Sequence, residues 1–180
     1  RGASGRSWFW APYELPLMFN MTTKTFADLV VDPALVDQLA EKGITSPFPI
    51  QTLAIPDALA GRDVLGKAKT GSGKTLAFGL PLLQRLETAR PKRPVAICLV
   101  PTRELATQVR DELAPLGEGT DVRVLAIYGG APIEKQIKAL NRGVEMVVAT
   151  PGRAIDLIER DALDLSEVTH IVIDEADRMA

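Results

Sequence analysis

Short apolar runs alternate along this chain with stretches of helical spacing, and this alternation limits the folds open to it. The five apolar runs cover residues 63–66, 95–100, 122–128, 144–149 and 170–173. The four helical stretches cover residues 74–89, 104–116, 132–141 and 153–161. Because short apolar strands separated by helices pair in parallel and are covered on both faces, the pattern predicts an α/β fold: a mostly parallel sheet flanked by helices.

Upstream of the first apolar run, the sequence indicates two further helices. Residues 35–39 carry an apolar stripe at helical spacing, with Asp32 placed to cap its start and Gly43 to end it. A second helix is predicted for residues 50–60, and it stops at Gly61. These helices form a region that precedes the α/β domain.

Residues 1–20 differ in composition from the rest of the chain. They contain both tryptophans and two prolines that interrupt any helix or strand, and they lack the unbroken apolar stretch of a secretory signal. Since Met21 resembles a natural start, we expect residues 1–20 to be a disordered leader, a cloning remnant or a misassigned start. The predicted organisation is this leader, a helical region over 21–61 and a partial α/β domain over 62–180.

Charge and cysteine content narrow the functional classes. The net charge of −2 excludes a broad basic surface, so an RNA would have to be held by local geometry. No apolar run approaches the roughly 18 residues that span a bilayer, so we expect no membrane partner. The lone Cys98 is predicted to be a small buried side chain, and a single cysteine fits a reducing cytoplasm. The lone His170 has no partners at metal-ligand spacing and is interpreted as structural.

A short polar motif follows each of the five apolar runs. Ligands of open α/β sheets bind beyond the carboxyl ends of the strands, so these motifs are expected to share one edge of the sheet. In chain order they are Ala68-Lys-Thr-Gly-Ser-Gly-Lys-Thr75, Pro101-Thr-Arg-Glu-Leu-Ala106, Gly129-Gly130, Thr150-Pro-Gly-Arg153 and Asp174-Glu-Ala-Asp177. Loops that are only structural have no reason to repeat this placement.

The segment from Gly71 to Thr75 is the strongest single signal. Gly71 and Gly73 allow backbone N–H groups to surround phosphate oxygens at the N-terminus of a helix. Lys74 is expected to reach the β- and γ-phosphates, and the Thr75 hydroxyl to bind Mg²⁺. The alternative is a glycine-rich turn that happens to precede a helix, but a predicted strand before it and a helix after it favour the phosphate loop.

Asp174 and Glu175 end the last apolar run. A carboxylate at the tip of a buried strand can bind Mg²⁺ through water, which is the role expected for Asp174. Glu175 can then orient and deprotonate the attacking water. Alone, such a strand end is more often a solvated turn. Following a phosphate loop, the pair supplies the charge neutralisation and the positioned nucleophile that metal-assisted hydrolysis of a triphosphate requires.

The three remaining motifs contain ordinary turn residues, and each alone is more often structural than functional. Their functional interpretation is contact with the phosphates of a nucleic acid. Thr150-Pro-Gly-Arg153 opens a helix and offers free amides and a guanidinium to a phosphodiester, and Arg103 does the same at another helix start. Because such contacts carry no base information, binding of a single strand would tolerate any sequence.

In this order, the motifs resemble those of DEAD-box ATP-dependent RNA helicases, where they are called I, Ia, GG, Ib and II. Upstream, Gly43-Ile-Thr-Ser-Pro-Phe-Pro-Ile-Gln51 resembles the family's Q motif, with Phe26 as its distant aromatic residue. The resemblance covers about residues 24–180. It implies a RecA-like P-loop NTPase domain over 62–180, incomplete at its C-terminus because the chain is cut after motif II.

The resemblance also implies roles for individual residues. Gln51 would hydrogen-bond the adenine edge and Phe26 would stack on the ring, which selects ATP over GTP. The catalytic residues would be Glu175 and Lys74, and Mg²⁺ would be held by Thr75 and Asp174. The other ATP contacts would come from Ala68, Lys69, Thr70, Gly71, Ser72 and Gly73. The RNA contacts would come from Pro101, Thr102, Arg103, Gly129, Gly130, Thr150, Pro151, Gly152 and Arg153.

The chain departs from the family's pattern in several places. Ile44 stands where an aromatic residue is usual, Phe48 where a small hydroxyl residue is usual, and Ala68 where the phosphate-loop pattern begins with glycine. The family's Ser-Ala-Thr motif and its second RecA-like domain are expected beyond Ala180. That domain supplies an arginine finger worth about 10³–10⁵ in rate, so the fragment alone is expected to bind nucleotide weakly and hydrolyse it poorly. It is also expected to leave a sheet edge exposed.

The sequence is compatible with three functions. The first is an RNA-stimulated ATPase that separates short duplexes, with ATP and RNA closing two domains and hydrolysis releasing them. The second is an ATP-gated RNA clamp with little unwinding, which the presence of Glu175 disfavours because a pure clamp has no need of a general base. The third is a DNA helicase of a related superfamily.

Overall fold

A computed structural model describes residues 24–69 and 71–179, and its centre is a four-stranded parallel sheet. The strands are β1 (Ala96–Leu99), β2 (Val124–Ile127), β3 (Met146–Ala149) and β4 (His170–Ile173). They lie in the order β2-β3-β1-β4. The prediction of a parallel sheet is therefore confirmed, whereas the predicted leader over 1–20 lies outside the described residues.

In the described part of the chain six α-helices accompany the sheet, and all of them fall in stretches where the sequence predicts a helix. They are α1 (Pro33–Glu41), α2 (Pro49–Leu59), α3 (Lys74–Arg85), α4 (Arg103–Gly117), α5 (Ile133–Leu140) and α6 (Pro151–Glu159). No helix among residues 24–69 and 71–179 combines the length and apolar character needed to cross a membrane.

The signals at the helix ends act as predicted. The Asp32 carboxylate accepts a hydrogen bond of 2.8 Å from the backbone N–H of Ala34, which caps the start of α1. Gly43 and Gly61 follow α1 and α2 with φ of 74° and 77°, the left-handed conformation that ends a helix. The largest difference is at α3, which ends at Arg85 instead of residue 89.

Apolar side chains cover both faces of the sheet, as the continuous apolar runs predict. On β1, Ala96 and Cys98 point into a cluster built with α1, α3 and α4. Ile97, between them, points into the second cluster, which contains Leu140 of α5 and Leu157 of α6. Cys98 is fully buried, as expected, and this burial raises the pKa of its thiol. The domain is thus three layers, with the sheet in the middle.

The register of the strands aligns their carboxyl ends. Leu99 of β1 lies opposite Ala149 of β3 on one side and Ile173 of β4 on the other. The Asp174 N–H continues the ladder by donating to the Leu99 carbonyl at 3.0 Å, and the Thr150 N–H donates to the Ile127 carbonyl at 3.0 Å. The loops that follow the four strands therefore leave the sheet side by side.

The predicted strand over residues 63–66 is absent, and that prediction is wrong. Within the described residues this segment pairs with no strand, and Val64 and Leu65 are both exposed. An apolar run becomes a strand only where a neighbour satisfies its backbone N–H and C=O groups. The segment does not lie along β4, the outer strand on one side of the sheet, and Ile171 and Ile173 of β4 are themselves exposed.

A buried carboxylate that no sequence motif indicates links the ends of three segments. Glu145, just before β3, has a side chain only 2% exposed. One of its oxygens accepts from the backbone N–H of Ala89, and the other accepts from the backbone N–H of Arg123. The Arg123 guanidinium donates to both oxygens, at 2.7 and 3.1 Å. Ala89 lies in the stretch predicted as helix, but α3 ends at Arg85 and the Ala89 N–H is bound by Glu145 instead.

The hydrogen bonds to Glu145 determine how its ionisation contributes to stability. Burial alone would raise the pKa of this carboxyl, but the hydrogen bonds from Arg123 and Ala89 outweigh burial and hold the pKa below its ordinary value of 4.5. Because the pKa in the folded state is depressed, the stabilisation is present above about pH 4.5 and is lost as the pH falls through the folded-state pKa.

We predict that Glu145→Gln lowers the free energy of unfolding by about 2–3 kcal/mol at pH 7, because the amide loses the charge and sets an NH₂ group against N–H donors. Urea unfolding measures this difference, which should shrink as the pH is lowered below 4.5. Glu167→Gln is the matched control: that glutamate pairs with Arg90 and Arg93 at the surface, so about 1 kcal/mol or less is expected. Equal urea midpoints for Glu145→Gln and the wild type at pH 7 would contradict the prediction.

Candidate functional site

The segment before α3 has the backbone of an anion-binding loop. Gly71 and Gly73 both have φ of 79°, a left-handed conformation that side chains disfavour. The backbone N–H of Ser72 donates to the Lys69 carbonyl at 3.2 Å, which closes a turn, and Gly73 is the N-cap of α3. Thr70 lies outside the described residues. The glycine-rich turn therefore leads directly into the first N–H groups of α3.

Two observations fit a phosphate at this loop. The Ser72 hydroxyl oxygen is buried and has no hydrogen-bond partner among the described residues, which is costly unless a ligand supplies one. No side chain caps α3, so the N–H groups of its first turn are open to an anion. The Lys74 ammonium donates to the Ala68 carbonyl at 3.2 Å, which keeps its charge beside the same turn.

Gln51 ties α2 to this loop. Its side-chain carbonyl accepts from the Phe48 N–H at 2.8 Å, and its side-chain amide donates to the Gly73 carbonyl at 2.9 Å. The residue is only 1% exposed. The amide that the sequence predicts to bind the adenine edge is therefore adjacent to the phosphate loop. Its oxygen and its nitrogen each already make one hydrogen bond within the protein.

Gly73 is required at the contact between α2 and the loop. A Cβ atom there would lie 2.4 Å from the Gln51 amide nitrogen and 2.7 Å from a ring carbon of Phe48. Both distances are too short for any side chain. The loop glycine that the sequence assigns to phosphate binding therefore also admits Gln51 and Phe48.

Phe26, the second residue expected at the adenine, has a different environment. Its side chain is 1% exposed and packs in the larger core cluster, beside Leu29 and Leu35. In this structure its ring has no free face for a base. Stacking by Phe26 stays a prediction.

The acidic pair lies at the end of β4, where the sequence predicts it. An Asp174 carboxylate oxygen accepts from the backbone N–H of Glu175 at 3.0 Å. Glu175 has φ of 51° and ψ of 45°, so the chain turns sharply immediately after the strand. The Glu175 carboxylate pairs with Arg178 at 2.6 Å, and the glutamate side chain is 13% exposed. The arrangement offers oxygen ligands of the kind that Mg²⁺ prefers.

The phosphate loop and the acidic pair do not contact each other through hydrogen bonds in the described part of the chain. The ammonium of Lys74 binds Ala68, and the carboxylate of Glu175 binds Arg178. One carboxylate that sequence reasoning missed lies near Thr75: burial raises the pKa of Glu112 on α4, and the nearby Thr75 hydroxyl opposes this rise. No motif marks Glu112, which lies in the middle of a helix.

The loops after β1, β2 and β3 do meet. The guanidinium of Arg103 lies 3.7 Å from where a Cβ on Gly130 would be. Arg153 donates to the Ala131 carbonyl at 3.2 Å and pairs with Asp156 at 3.5 Å, and its side chain is only 12% exposed. The motifs that contain Arg103, Gly130 and Arg153 therefore form one surface. The Arg153 guanidinium, however, already binds groups of the protein itself.

This surface presents open backbone. Gly129 and Gly152 are exposed, and a Cβ on either would have no neighbour within 4 Å. Pro151 is also exposed at the start of α6, where no side chain caps the helix. At the start of α4, the Thr102 hydroxyl accepts from the Leu105 N–H at 3.3 Å and caps the helix itself. The exposed groups are suited to a phosphate backbone, with α6 the more open helix end.

Comparison with known proteins agrees with the arrangement of the motifs. A family model described as DEAD/DEAH box helicase matches residues 48–180. The chain is 49% identical over 158 residues to "DEAD-box ATP-dependent RNA helicase 9" of Oryza sativa subsp. japonica, covering 85% of this chain and 25% of the relative. It is 46% identical over 154 residues to "DEAD-box ATP-dependent RNA helicase CshA" of Streptococcus pneumoniae, covering 86% of this chain and 29% of the relative.

A solved structure is similar as well. The crystal structure of the RNA helicase Prp28 from Chaetomium thermophilum bound to ADP superposes with a TM-score of 0.78 at 44% identity. The match covers 84% of this chain and 38% of that one, so the fold is that of a RecA-like helicase domain. The chain spans about a quarter of the length of the curated relatives described above. With a family match over residues 48–180 and four of the motifs following β1 to β4 at one edge of the sheet, this chain belongs to the DEAD/DEAH box helicase family.

Proposed function

We propose that this chain is part of an ATP-dependent RNA helicase and carries its ATP-binding loop, its hydrolytic carboxylates and part of its RNA-binding surface. The observation that carries the proposal is the buried Ser72 hydroxyl, which lacks a partner among the described residues, beside the glycine turn at the start of α3. The name of each curated relative described above supports the reaction, and the ADP in the Prp28 crystal structure supports the ligand.

In the proposed site the loop binds the phosphates of ATP. The N–H groups from Gly71 to Thr75 surround the β-phosphate, and the Ser72 hydroxyl gains the partner that it lacks. Lys74 exchanges the Ala68 carbonyl for the β- and γ-phosphates. The exchange favours binding because a charge-assisted hydrogen bond to phosphate is stronger than one to a neutral carbonyl.

Thr75 and Asp174 are the residues proposed to hold Mg²⁺, one through its hydroxyl and the other through its carboxylate. The ion supplies charge neutralisation for the triphosphate when it is bound. Glu175 is proposed to take a proton from the attacking water. In this structure Arg178 binds one of its oxygens, so the pair either holds Glu175 in position or must open when water arrives.

Gln51 is proposed to recognise the adenine edge. Its amide is already held between Phe48 and Gly73, and each end of an amide can take part in a second hydrogen bond. A base that presents one donor and one acceptor would satisfy both. Because a guanine presents the opposite pattern, the site would favour ATP over GTP.

RNA is proposed to lie across the surface formed by Arg103, Gly129, Gly130, Pro151 and Gly152. Exposed N–H groups and the Arg103 guanidinium would contact phosphates and sugars, so binding would not depend on sequence. Four further residues are proposed for this surface. Thr102 caps α4, Arg153 donates to the Ala131 carbonyl, and Pro101 and Thr150 lie beside them in the same loops. The net charge of −2 fits local rather than long-range attraction.

A second RecA-like domain is proposed to complete the enzyme, since the chain spans 38% of Prp28 and about a quarter of the curated relatives described above. Without that domain's arginines, turnover by this chain alone would be slow by about 10³–10⁵. A cytoplasmic location stays a prediction, and one further relative is named as mitochondrial.

We predict that Lys74→Ala weakens ATP binding roughly 10- to 100-fold, because a charge-assisted contact to phosphate is lost. The dissociation constant can be measured by titration of the 180-residue chain. Lys138→Ala, at an exposed lysine in α5, is the matched control and should bind ATP as the wild type does. Equal affinities of Lys74→Ala and the wild type would argue against the phosphate loop.

We predict that Glu175→Gln in the full-length protein lowers the rate of ATP hydrolysis about 10²- to 10⁴-fold while RNA binding is retained, because only proton transfer is removed. Steady-state ATPase assays and RNA titrations measure the two effects, with Glu41→Gln at an exposed position of α1 as control. Unchanged hydrolysis would rule out Glu175 as the base. A wild type that binds RNA with ATP but does not unwind a short duplex would support the clamp instead of the helicase.

We predict that RNA stimulates ATP hydrolysis by the full-length protein more than DNA of the same length and sequence does. The measurement is the ATPase rate at saturating concentration of each nucleic acid. Equal stimulation by the two would favour the DNA helicase alternative, since the surface formed by Arg103 and the exposed glycines would then not discriminate between the two backbones.

A further inference from the structure

Gln136 of α5 is a buried polar residue that the proposed site does not use. It is only 6% exposed, and its side-chain amide donates to the Tyr128 carbonyl at 3.1 Å. Two other polar residues of the described chain are equally buried: Gln51 contacts the phosphate loop, and Glu145 pairs with Arg123. Both of these have a partner at each end of the side chain, whereas Gln136 does not.

Stability does not account for a glutamine at this position. The carbonyl oxygen of its amide, Oε1, is buried and accepts no hydrogen bond from residues 24–69 and 71–179. A buried acceptor without a donor destabilises a fold, and an apolar side chain of similar length, such as methionine, would avoid that cost. The single hydrogen bond of Gln136 to Tyr128 is therefore largely offset within the folded protein.

That hydrogen bond fixes the direction of one peptide unit at the start of the Gly129-Gly130 turn. The Tyr128 carbonyl and the Gly129 N–H belong to the same planar unit, and in a trans peptide the two groups point in opposite directions. Since Gln136 holds the carbonyl toward α5, the Gly129 N–H points away from α5. Within the described residues this N–H donates to no backbone acceptor, and Gly129 is exposed.

The surroundings of this N–H suit a phosphate oxygen. A Cβ on Gly129 would meet nothing within 4 Å, so a ligand can approach the backbone closely. The Arg103 guanidinium lies 3.7 Å from the Cβ position of Gly130, the next residue. Arg153 donates to the Ala131 carbonyl at 3.2 Å and holds the other end of the turn. The turn is thus fixed on both sides, with an open donor beside a cation.

We propose that Gln136 is a positioning residue for RNA: it holds the Tyr128 carbonyl inward and thereby directs the Gly129 N–H at an RNA phosphate. The inference rests on the proposed function, because it requires RNA on this surface. A donor that is already oriented binds without the entropy cost of ordering the turn. Since the donor is neutral and contacts the RNA backbone, Gln136 affects affinity but neither base preference nor the number of phosphates neutralised.

The test compares two substitutions of the same kind. Gln136→Met removes the donor, and Gln38→Met on α1 is the matched control, since the Oε1 of Gln38 is likewise buried without a partner in the described part of the chain. An oligouridine of about ten nucleotides is titrated into the full-length protein with ATP present. Gln136→Met should weaken RNA binding about 5- to 20-fold and leave the ATP affinity and the urea midpoint near their wild-type values. Gln38→Met should bind RNA as the wild type does.

The salt dependence of RNA binding separates positioning from charge. The slope of log affinity against log salt concentration should be unchanged in Gln136→Met, because no cation is lost, and should become shallower by about 0.7 in Arg103→Ala. In amide NMR spectra of the 180-residue chain, oligouridine should move the Gly129 amide proton downfield in the wild type and much less in Gln136→Met.

Two results would overturn the inference. One is equal RNA affinity for Gln136→Met and Gln38→Met. The other is a parallel loss of RNA affinity, ATP affinity and resistance to urea in Gln136→Met, which is what a purely structural role would give. A wild type that binds ATP but no oligouridine would instead overturn the proposed RNA surface itself.

Discussion

The alignment of three parallel strands is the constraint on which the rest of this molecule depends. β1 lies between β3 and β4, and Leu99 is opposite the last residue of each neighbour. The hydrogen bond from Asp174 to Leu99 extends that alignment into the first residue of the acidic pair. If the register of β4 slipped by one residue, its side chains would change faces and the acidic pair would move along the sheet edge. Register therefore sets both the core and the candidate site.

Most elements could be predicted because their signals are local. The capping carboxylate of Asp32 and the glycine that ends α1 act within a few residues, and the alternation of Ala96, Ile97 and Cys98 places them on opposite faces of a strand that is covered twice. The run over 63–66 could not be predicted in this way. Its apolar composition is that of a strand, but a strand also needs a partner, and sequence pattern alone does not report pairing.

In the candidate site, too, the sequence predicted some features and could not predict others. Motif spacing predicted which residues lie at the carboxyl edge, but not the partners that they bind there. The pairing of Glu175 with Arg178 and the bond from Arg153 to Ala131 arise from side-chain directions that only a folded backbone determines. The contact of Gln51 with Gly73 joins residues 22 positions apart. The buried Glu145 had no signal at all, because one glutamate between two apolar residues looks like an ordinary strand start.

The uncovered side of β4 has a practical consequence. Among residues 24–69 and 71–179, no strand pairs with the outer side of β4, from which Ile171 and Ile173 project, and no Asp, Glu, Lys or Arg lies in that strand. Such an edge is a template onto which any extended apolar peptide can add. An extended segment laid along this edge would find both the backbone partners and the apolar contacts that a further strand of the sheet needs.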